Sequence, residues 1–240
     1  MKNCMSRIKS FLYRAKKTPF IIKRRLFYYL LLDLANSPNG LLYKPFVKPK
    51  SPSISIARDY VNRFVSSCLK DIKGDVLEVG RSTYNAELVD HATSYTCLDI
   101  GTFPDVDIVA NIQNMPQVPS NSYDSILCTQ VLEHTKNPFR AVSELHRILR
   151  PGGKLFLTVP FLNKIHMEPH DYWRFTEFSV AHLLSSFQRV DISKYGNTVN
   201  CVFYTLNIKT VDLSEEILQQ ETCEDRFYII LGAVAKKGDQ

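Results

Sequence analysis

From residue 75 onward the chain repeats one device. A short apolar run ends on an acid, an amide, a hydroxyl or a glycine, and a segment with helical spacing or a turn follows. DVLEVG (75–80), YTCLDI (95–100), VDIVAN (106–111), YDSILCTQ (123–130) and KLFLTVP (154–160) are such runs. Runs this short, rich in Val, Ile and Leu, suit strands buried on both faces. Strands of that kind need helices on either side, and strand–helix alternation argues for a parallel sheet. In such sheets ligands bind beyond the carboxyl ends of the strands, where the strand order reverses. Gly80, Asp99, Ala110–Asn111, Thr129–Gln130 and Pro160–Phe161 are therefore the positions to examine for chemistry.

The spacing predicts a helix over 54–69, with Ile56, Tyr60, Phe64 and Leu69 near one face. A strand over 75–79, a short helix over 85–91 and strands over 95–100, 106–110 and 123–129 follow. Asn137 can cap the next helix, Pro138 suits its first turn, and Pro151-Gly152-Gly153 ends it. Its expected apolar face is Phe139, Val142, Leu145 and Ile148/Leu149. Beyond it come a strand over 154–159 and a helix over 176–187, with Phe178, Ala181, Leu183 and Leu184 as core candidates. Strands over 190–195 and 227–236 complete the pattern. Residues 187–224 read either as a substrate lid or as a dimer surface.

Charge divides the chain. Residues 1 to 50 hold 12 Lys/Arg and one acid, a balance of +11; the other 190 hold 18 Lys/Arg and 23 Asp/Glu, a balance of −5. KPFVKPKSPS (44–53) carries three prolines and three lysines and reads as the boundary. The division is thus a basic amphipathic extension and linker over 1–50 and a domain over 51–240. In the arm the longest apolar stretch, Leu26 to Leu32, is shorter than the roughly 20 residues a spanning helix needs. Asp33 interrupts it and no clear small-x-small site follows, so a signal peptide is not expected. Basic residues interleaved with Phe, Ile, Leu and Tyr over 1–34 fit a segment lying on an anionic membrane surface. A helix packed on the body with a solvated basic face, or a grip on nucleic acid, are the other readings. The six cysteines lie far apart without a C-x-x-C pair. Metal spacing is absent from them, and a reduced, cytoplasmic setting follows, at the membrane surface if the arm binds there.

Gly80 follows the first strand, where backbone must approach a ligand closely. Asp99 ends the second strand, 19 residues later, where a carboxylate can accept both hydroxyls of a ribose. After the third strand, Asn111 and Ile112 offer an amide edge and an apolar face. CTQVLEH (128–134) and LRPGGKLFLTVP (149–160) then complete a set of motifs. With them the sequence resembles the class I S-adenosylmethionine-dependent methyltransferases of the type 11 group, over roughly residues 70 to 190. VLEVG matches the first motif, LDI the second-strand acid, YDSILCTQVLEH the fourth-strand motif and LRPGGKLFLTVP the fifth.

The resemblance implies a Rossmann-like α/β fold: a seven-stranded, mostly parallel sheet with helices on both faces and an antiparallel edge in the last pair. It implies S-adenosyl-L-methionine as cofactor. Glu78 and Gly80 would shape the pocket for the methionine moiety, and Asp99 would bind the ribose. Asn111 and Ile112 would meet the adenine, and Gln130 would lie near the sulfonium. Two departures stand out. The first motif lacks its second and third glycines, so Ser82 and Thr83 are expected to supply donors and Tyr84 to cover the cofactor. The family's aspartate after the third strand is Asn111, whose oxygen can still meet an adenine amino group.

FLNKIHMEPHDYWRFT (161–176) follows the fifth strand and is expected over the pocket mouth. A hydroxyl acceptor must lose a proton, which a placed histidine can take. His134, His166 and His170 are the candidates, with Asp171 as an orienting partner. The structural alternative pairs Asp171 with Arg174 and puts Trp173 in the core. The spacing H-x-E-x-H-D over 166–171 offers imidazole and carboxylate ligands, but Pro169 interrupts it and no metal is expected. A related subset with this H-x-x-P-H-D-Y-W-R-F-T pattern is associated with sugar or cell-envelope biosynthesis. The expected activity is O-methylation of a small, glycan or lipid-linked envelope precursor. The alternatives are a nucleic-acid methyltransferase using the basic arm and a non-catalytic domain that keeps only the fold. Aromatic and aliphatic residues in the arm suit a membrane better than nucleic acid, and intact Asp99 and Gln130–His134 argue against a non-catalytic domain.

Overall fold

The structure, a computed structural model, describes residues 54–81, 83–166, 170–206 and 226–239. The basic arm, the boundary at 44–53, Ser82 and Glu168 lie outside these residues. The elements run α1 (Ile56–Cys68), β1 (Gly74–Val79), α2 (Asn85–Leu88), β2 (Ala92–Asp99), β3 (Ile108–Val109) and β4 (Tyr123–Thr129). They continue with α3 (Pro138–Ile148), β5 (Leu149–Pro160), α4 (Glu177–Leu183), β6 (Arg189–Tyr195), α5 (Thr198–Thr205) and β7 (Ile230–Lys236).

The seven strands form one sheet in the order β3-β2-β1-β4-β5-β7-β6. β1 pairs in parallel with both β2 and β4, so the strand order reverses at β1. The carboxyl ends of β1, β2 and β4 therefore open onto a crevice. β7 is antiparallel to both β5 and β6. The antiparallel strand expected at the edge is thus inserted between β5 and β6, and β6 is the edge.

Alternating strand residues divide between two cores. Leu77, Ile126, Leu155, Leu157 and Leu231 join Ala141, Val142, Leu145 and Ile148 of α3 and Val180 of α4. Val76, Leu127, Phe156 and Ile230 join α1, together with Leu88 of α2 and Cys201 of α5. A strand with both faces covered loses its polar alternation, which is why the runs were legible. Gly232 in β7 lets α1 approach: a Cβ there would lie 2.4 Å from the Phe64 ring.

The caps are as the sequence implies at α3, where Asn137 accepts from the Arg140 amide at 3.1 Å. Ser55 caps α1 and Thr176 caps α4 in the same way. Several side-chain expectations need correction. Phe139 and Phe178 are 52% and 77% exposed. Ala181 is also exposed. Ala141, Val180 and Phe187 fill the inward positions instead. Leu149 caps α3 and opens β5 directly, so Pro151–Gly153 sit in a bulge where the register jumps between Tyr123 and Ser125. Part of 187–224 belongs to the body. α5 is capped by Asn197, and Asn200 donates to the Tyr60 hydroxyl at 2.6 Å.

Candidate active site

β1 ends on Gly80 at φ +99°, a conformation glycine adopts without strain. Its amide donates to the Leu98 carbonyl at 2.8 Å. Beyond Gly80, Tyr84 takes up the chain at φ −116° and opens α2. A buried carboxylate holds the loop. Glu78 Oε1 accepts from the Thr83 amide at 3.0 Å and the Tyr84 amide at 3.2 Å, and Oε2 accepts from the Tyr95 hydroxyl at 2.5 Å. Burial pushes the Glu78 carboxyl up, against the pull of those three donors.

This arrangement revises three expectations. Glu78 lies beneath the loop and does not line the cleft. Thr83 uses its amide on Glu78 and its hydroxyl on the Arg81 carbonyl, so neither donor is left for a ligand. Tyr84 is buried, with its hydroxyl donating to Asn62 Oδ1 at 2.8 Å, and covers nothing.

A cleft of about 600 Å³ opens over these strand ends, lined by Gly80, Asp99, Phe103, Ile112, Gln130 and His134 among others. Asp99 is half-buried at the end of β2, and its Oδ1 accepts from the Gly101 amide at 2.7 Å. That bond fixes the carboxylate at the cleft through Oδ1 alone. Phe103 forms the adjoining wall, with the Arg81 guanidinium 4.6 Å above its ring. Ile112 is buried and gives the cleft an apolar surface. Asn111 departs from its expected role: its Oδ1 already accepts from the backbone amide and the side-chain amide of Gln113, at 3.0 and 3.1 Å. Both lone pairs serve the turn, and only the amide nitrogen remains for a ligand.

Gln130 follows β4 at φ +54°, the left-handed region that costs a non-glycine residue about 1 kcal/mol or more. Its amide donates to the Thr158 carbonyl at 2.9 Å and its Nε2 to the Thr158 hydroxyl at 3.2 Å, which hold it there. It lines this cleft and also a second cavity of about 650 Å³. That second cavity is bounded by Val61, Leu162, Asn163, Lys164 and Tyr204. His166 and Arg58 are likewise shared between the two.

Among the described residues of 161–176, Asp171 and Arg174 form an ion pair. Asp171 is buried, accepts from Arg174 at 2.5 and 2.7 Å, and accepts from the His166 amide at 3.0 Å. The guanidinium holds its carboxyl well below the usual carboxylate range. Asp171 is therefore a clamp on the segment as well as a neighbour of the His166 ring, 3.4 Å from Nδ1. His166 and His134 meet edge to face with centroids 4.9 Å apart. His170 does not join them: its ring is exposed, and only its carbonyl reaches His134 Nδ1, at 2.6 Å. Trp173 is not core; its indole donates to the Thr135 carbonyl at 2.8 Å.

Sequence reasoning passed over Glu133, although it stands in the quoted VLEH motif. Its side chain is fully buried, and neither oxygen hydrogen-bonds to another residue. Burial pushes its carboxyl up to about 8. An acid between apolar Leu132 and the cleft histidine was the signal available.

A family model described as a methyltransferase domain matches residues 62–157. The thiol S-methyltransferase TMT1B of Mus musculus is 30% identical over 168 residues, covering 55% of this chain and 68% of the relative. The chain belongs to the class I S-adenosylmethionine-dependent methyltransferases. A ubiquinone/menaquinone biosynthesis C-methyltransferase from Hahella chejuensis is 29% identical over 169 residues, which cover 69% of this chain and 56% of that protein. The chain thus spans little more than half the length of that second relative. In fold it is similar to Burkholderia thailandensis 1,6-didemethyltoxoflavin-N1-methyltransferase, solved with 1,6-didemethyltoxoflavin and S-adenosylhomocysteine. That match has a TM-score of 0.53, 16% identity, and coverage of 77% of this chain and 79% of that one.

The residues present fit the family's cofactor. A methyltransferase of this class needs a carboxylate for the ribose, an apolar wall for the base and a close backbone approach. Asp99, Ile112 and Gly80 stand in those places around one cleft.

Proposed function

We propose that the protein transfers a methyl group from S-adenosylmethionine to a hydroxyl of a small or lipid-linked precursor of the cell envelope. The observation that carries this reading is the meeting of two cavities at Gln130 and His166, both of which line each of them. The cofactor, when bound, supplies an electrophilic methyl on a sulfonium sulfur. The chain's own residues then have three tasks. Asp99 and Ile112 orient the ribose and the base. Gln130, held on Thr158, separates the two cavities and sets the line along which donor and acceptor approach. The His134–His166 pair stands where the acceptor's proton must leave.

The second cavity suits an acceptor that is apolar along one side and anionic at one end. Val61 and Leu162 give the apolar side, and Arg58 and Lys164 are its cations. No acid among the described residues lines it. The basic, aromatic-rich arm over 1–34 supports presentation of such an acceptor at an anionic membrane surface on the cytoplasmic side. The mouse relative's name favours a second reading, in which the acceptor is a thiol. The test is methyl-label transfer from S-adenosylmethionine to RNA and to three other acceptors: a polyprenyl-linked glycan, a quinol and an aryl thiol. Labelled glycan supports the proposal. Labelled thiol alone moves it to the second reading, and labelling of RNA with none of the three overturns it.

A further inference from the structure

We propose that Glu133, His134 and His166 form a site for a divalent transition-metal ion on the wall of the cleft. One ligand atom from each of these residues lies within 4.8 Å of the others. A zinc tetrahedron has an edge of roughly 3.3 Å, with bonds of about 2.0–2.2 Å, so the side chains must close that spread when the ion binds.

Three independent observations point to a ligand here. Both Glu133 oxygens are buried and make no hydrogen bond to another residue; buried His166 Nδ1 makes none either, though the Asp171 carboxylate stands 3.4 Å from it. Buried polar atoms are nearly always partnered, so the two Glu133 oxygens mark an absent partner. The nearby cation does not supply it. Arg174 directs its donors to Asp171 and to the carbonyls of Asn163, Lys164 and Trp173. The second observation is the tautomer of His134. Its Nδ1 lies 2.6 Å from the His170 carbonyl, which can only accept. The proton therefore sits on Nδ1 and the Nε2 lone pair is available, 3.9 Å from Glu133 Oε1. Metal-binding imidazoles are oriented in just this way, by a bond from the other ring nitrogen to a carbonyl or carboxylate. The third is position. His134 and His166 both line the cleft while Glu133 lies behind them.

Two imidazoles and one carboxylate leave an open coordination position, the arrangement of a catalytic ion and not a structural one. The chemistry favours zinc or a neighbouring ion over magnesium or calcium, which prefer all-oxygen sites. On the reading of this junction as the acceptor end, the open position would take the acceptor's oxygen or sulfur and favour its ionised form, so that with the ion bound the proton goes to solvent and not to the ligating imidazoles.

The test is made on full-length protein, reduced and stripped with chelator, titrated with zinc against a competing indicator. Wild type should bind about one equivalent with a Kd near or below about 1 µM. Glu133→Gln and His134→Ala should each bind at least about 10-fold more weakly. His170→Ala should bind within about 2-fold of wild type, since only its backbone takes part. X-ray absorption should show nitrogen and oxygen ligands and no sulfur. Circular dichroism checks that each variant is folded. Binding weaker than about 100 µM by folded wild type overturns the proposal. So does affinity unchanged in both Glu133→Gln and His134→Ala, or sulfur in the coordination shell. The Kd for S-adenosylhomocysteine in the same samples reports the cofactor site separately, so failure of the metal site leaves that reading standing.

Discussion

On the wall of the cleft built by β1, β2 and the turn after β3, acidic and amide side chains reach into backbone beside them. Glu78 holds the amides of Thr83 and Tyr84, Asp99 that of Gly101, and Asn111 that of Gln113. On the wall built after β4 and β5, Glu133 and His166 keep buried polar atoms that no other residue hydrogen-bonds. Asp171, Gln130 and His134 are partnered there, by Arg174, the Thr158 hydroxyl and the His170 carbonyl. The first wall is complete before any ligand arrives, as a site for a fixed cofactor should be. The second keeps desolvated groups in reserve, as a site that engages an acceptor or an ion should. Our proposal accordingly puts the cofactor on one wall and the chemistry on the other.

That assignment can be broken. The largest effect is expected for His166→Ala. Turnover should fall about 10²–10⁴-fold, while the Kd for S-adenosylhomocysteine by calorimetry stays within about 2-fold. An equal loss of cofactor binding would show that the walls do not act separately. Next comes Arg174→Ala, which leaves the buried Asp171 carboxylate unpaired. Removing one partner of a buried pair costs about 3–5 kcal/mol, and the part-exposed Arg174 places this near 3. The urea midpoint should drop accordingly, and hydrogen exchange should quicken over 161–176 but not over 76–84.

A smaller loss sharpens the comparison from the other side. Glu78→Gln replaces one acceptor oxygen by an amide nitrogen, so one of its three donors loses its acceptor. Stability should fall by about 1–2 kcal/mol. Cofactor binding should weaken, with exchange over 161–176 unchanged. Smallest is Gln130→Gly, at the junction. Relief of the left-handed backbone, about 1 kcal/mol, opposes loss of the Nε2 bond to Thr158, also about 1 kcal/mol. Denaturation should change by less than about 1 kcal/mol. Turnover should fall through looser alignment of donor and acceptor.

The sheet was legible because its strands are buried on both faces, which leaves unbroken apolar runs ending at the ligand side. β1, β4 and α3 appear within a residue or two of their expected bounds. α5 was not legible. TVNCVFYT is β-branched and aromatic, and only Asn197 marks it as a helix start. Helical spacing also drew Phe139 and Phe178 inward, whereas each helix turns Ala141 or Val180 to the core. Position along the strands identified Asp99, Ile112 and Gln130 as cleft residues. It could not show that Glu78, Thr83 and Asn111 serve the loop's own backbone, because those bonds depend on how the loop closes. The meaning of the missing glycines follows from the same bonds. Among the described residues of the loop, Gly80 supplies the left-handed turn and the buried Glu78 carboxylate holds the amides of Thr83 and Tyr84. Glu133 escaped notice because its burial without a partner is a property of three dimensions.

The measurement that bears most directly on the account is calorimetric titration of S-adenosylmethionine into the wild-type protein and into Asp99→Ala. Saturable binding by wild type, weakened at least about 10-fold in the variant through loss of charge-assisted bonds, is the predicted result. A folded wild type that binds no cofactor, or a variant that binds it equally well, would contradict the placement of the cofactor on the β1–β2 wall.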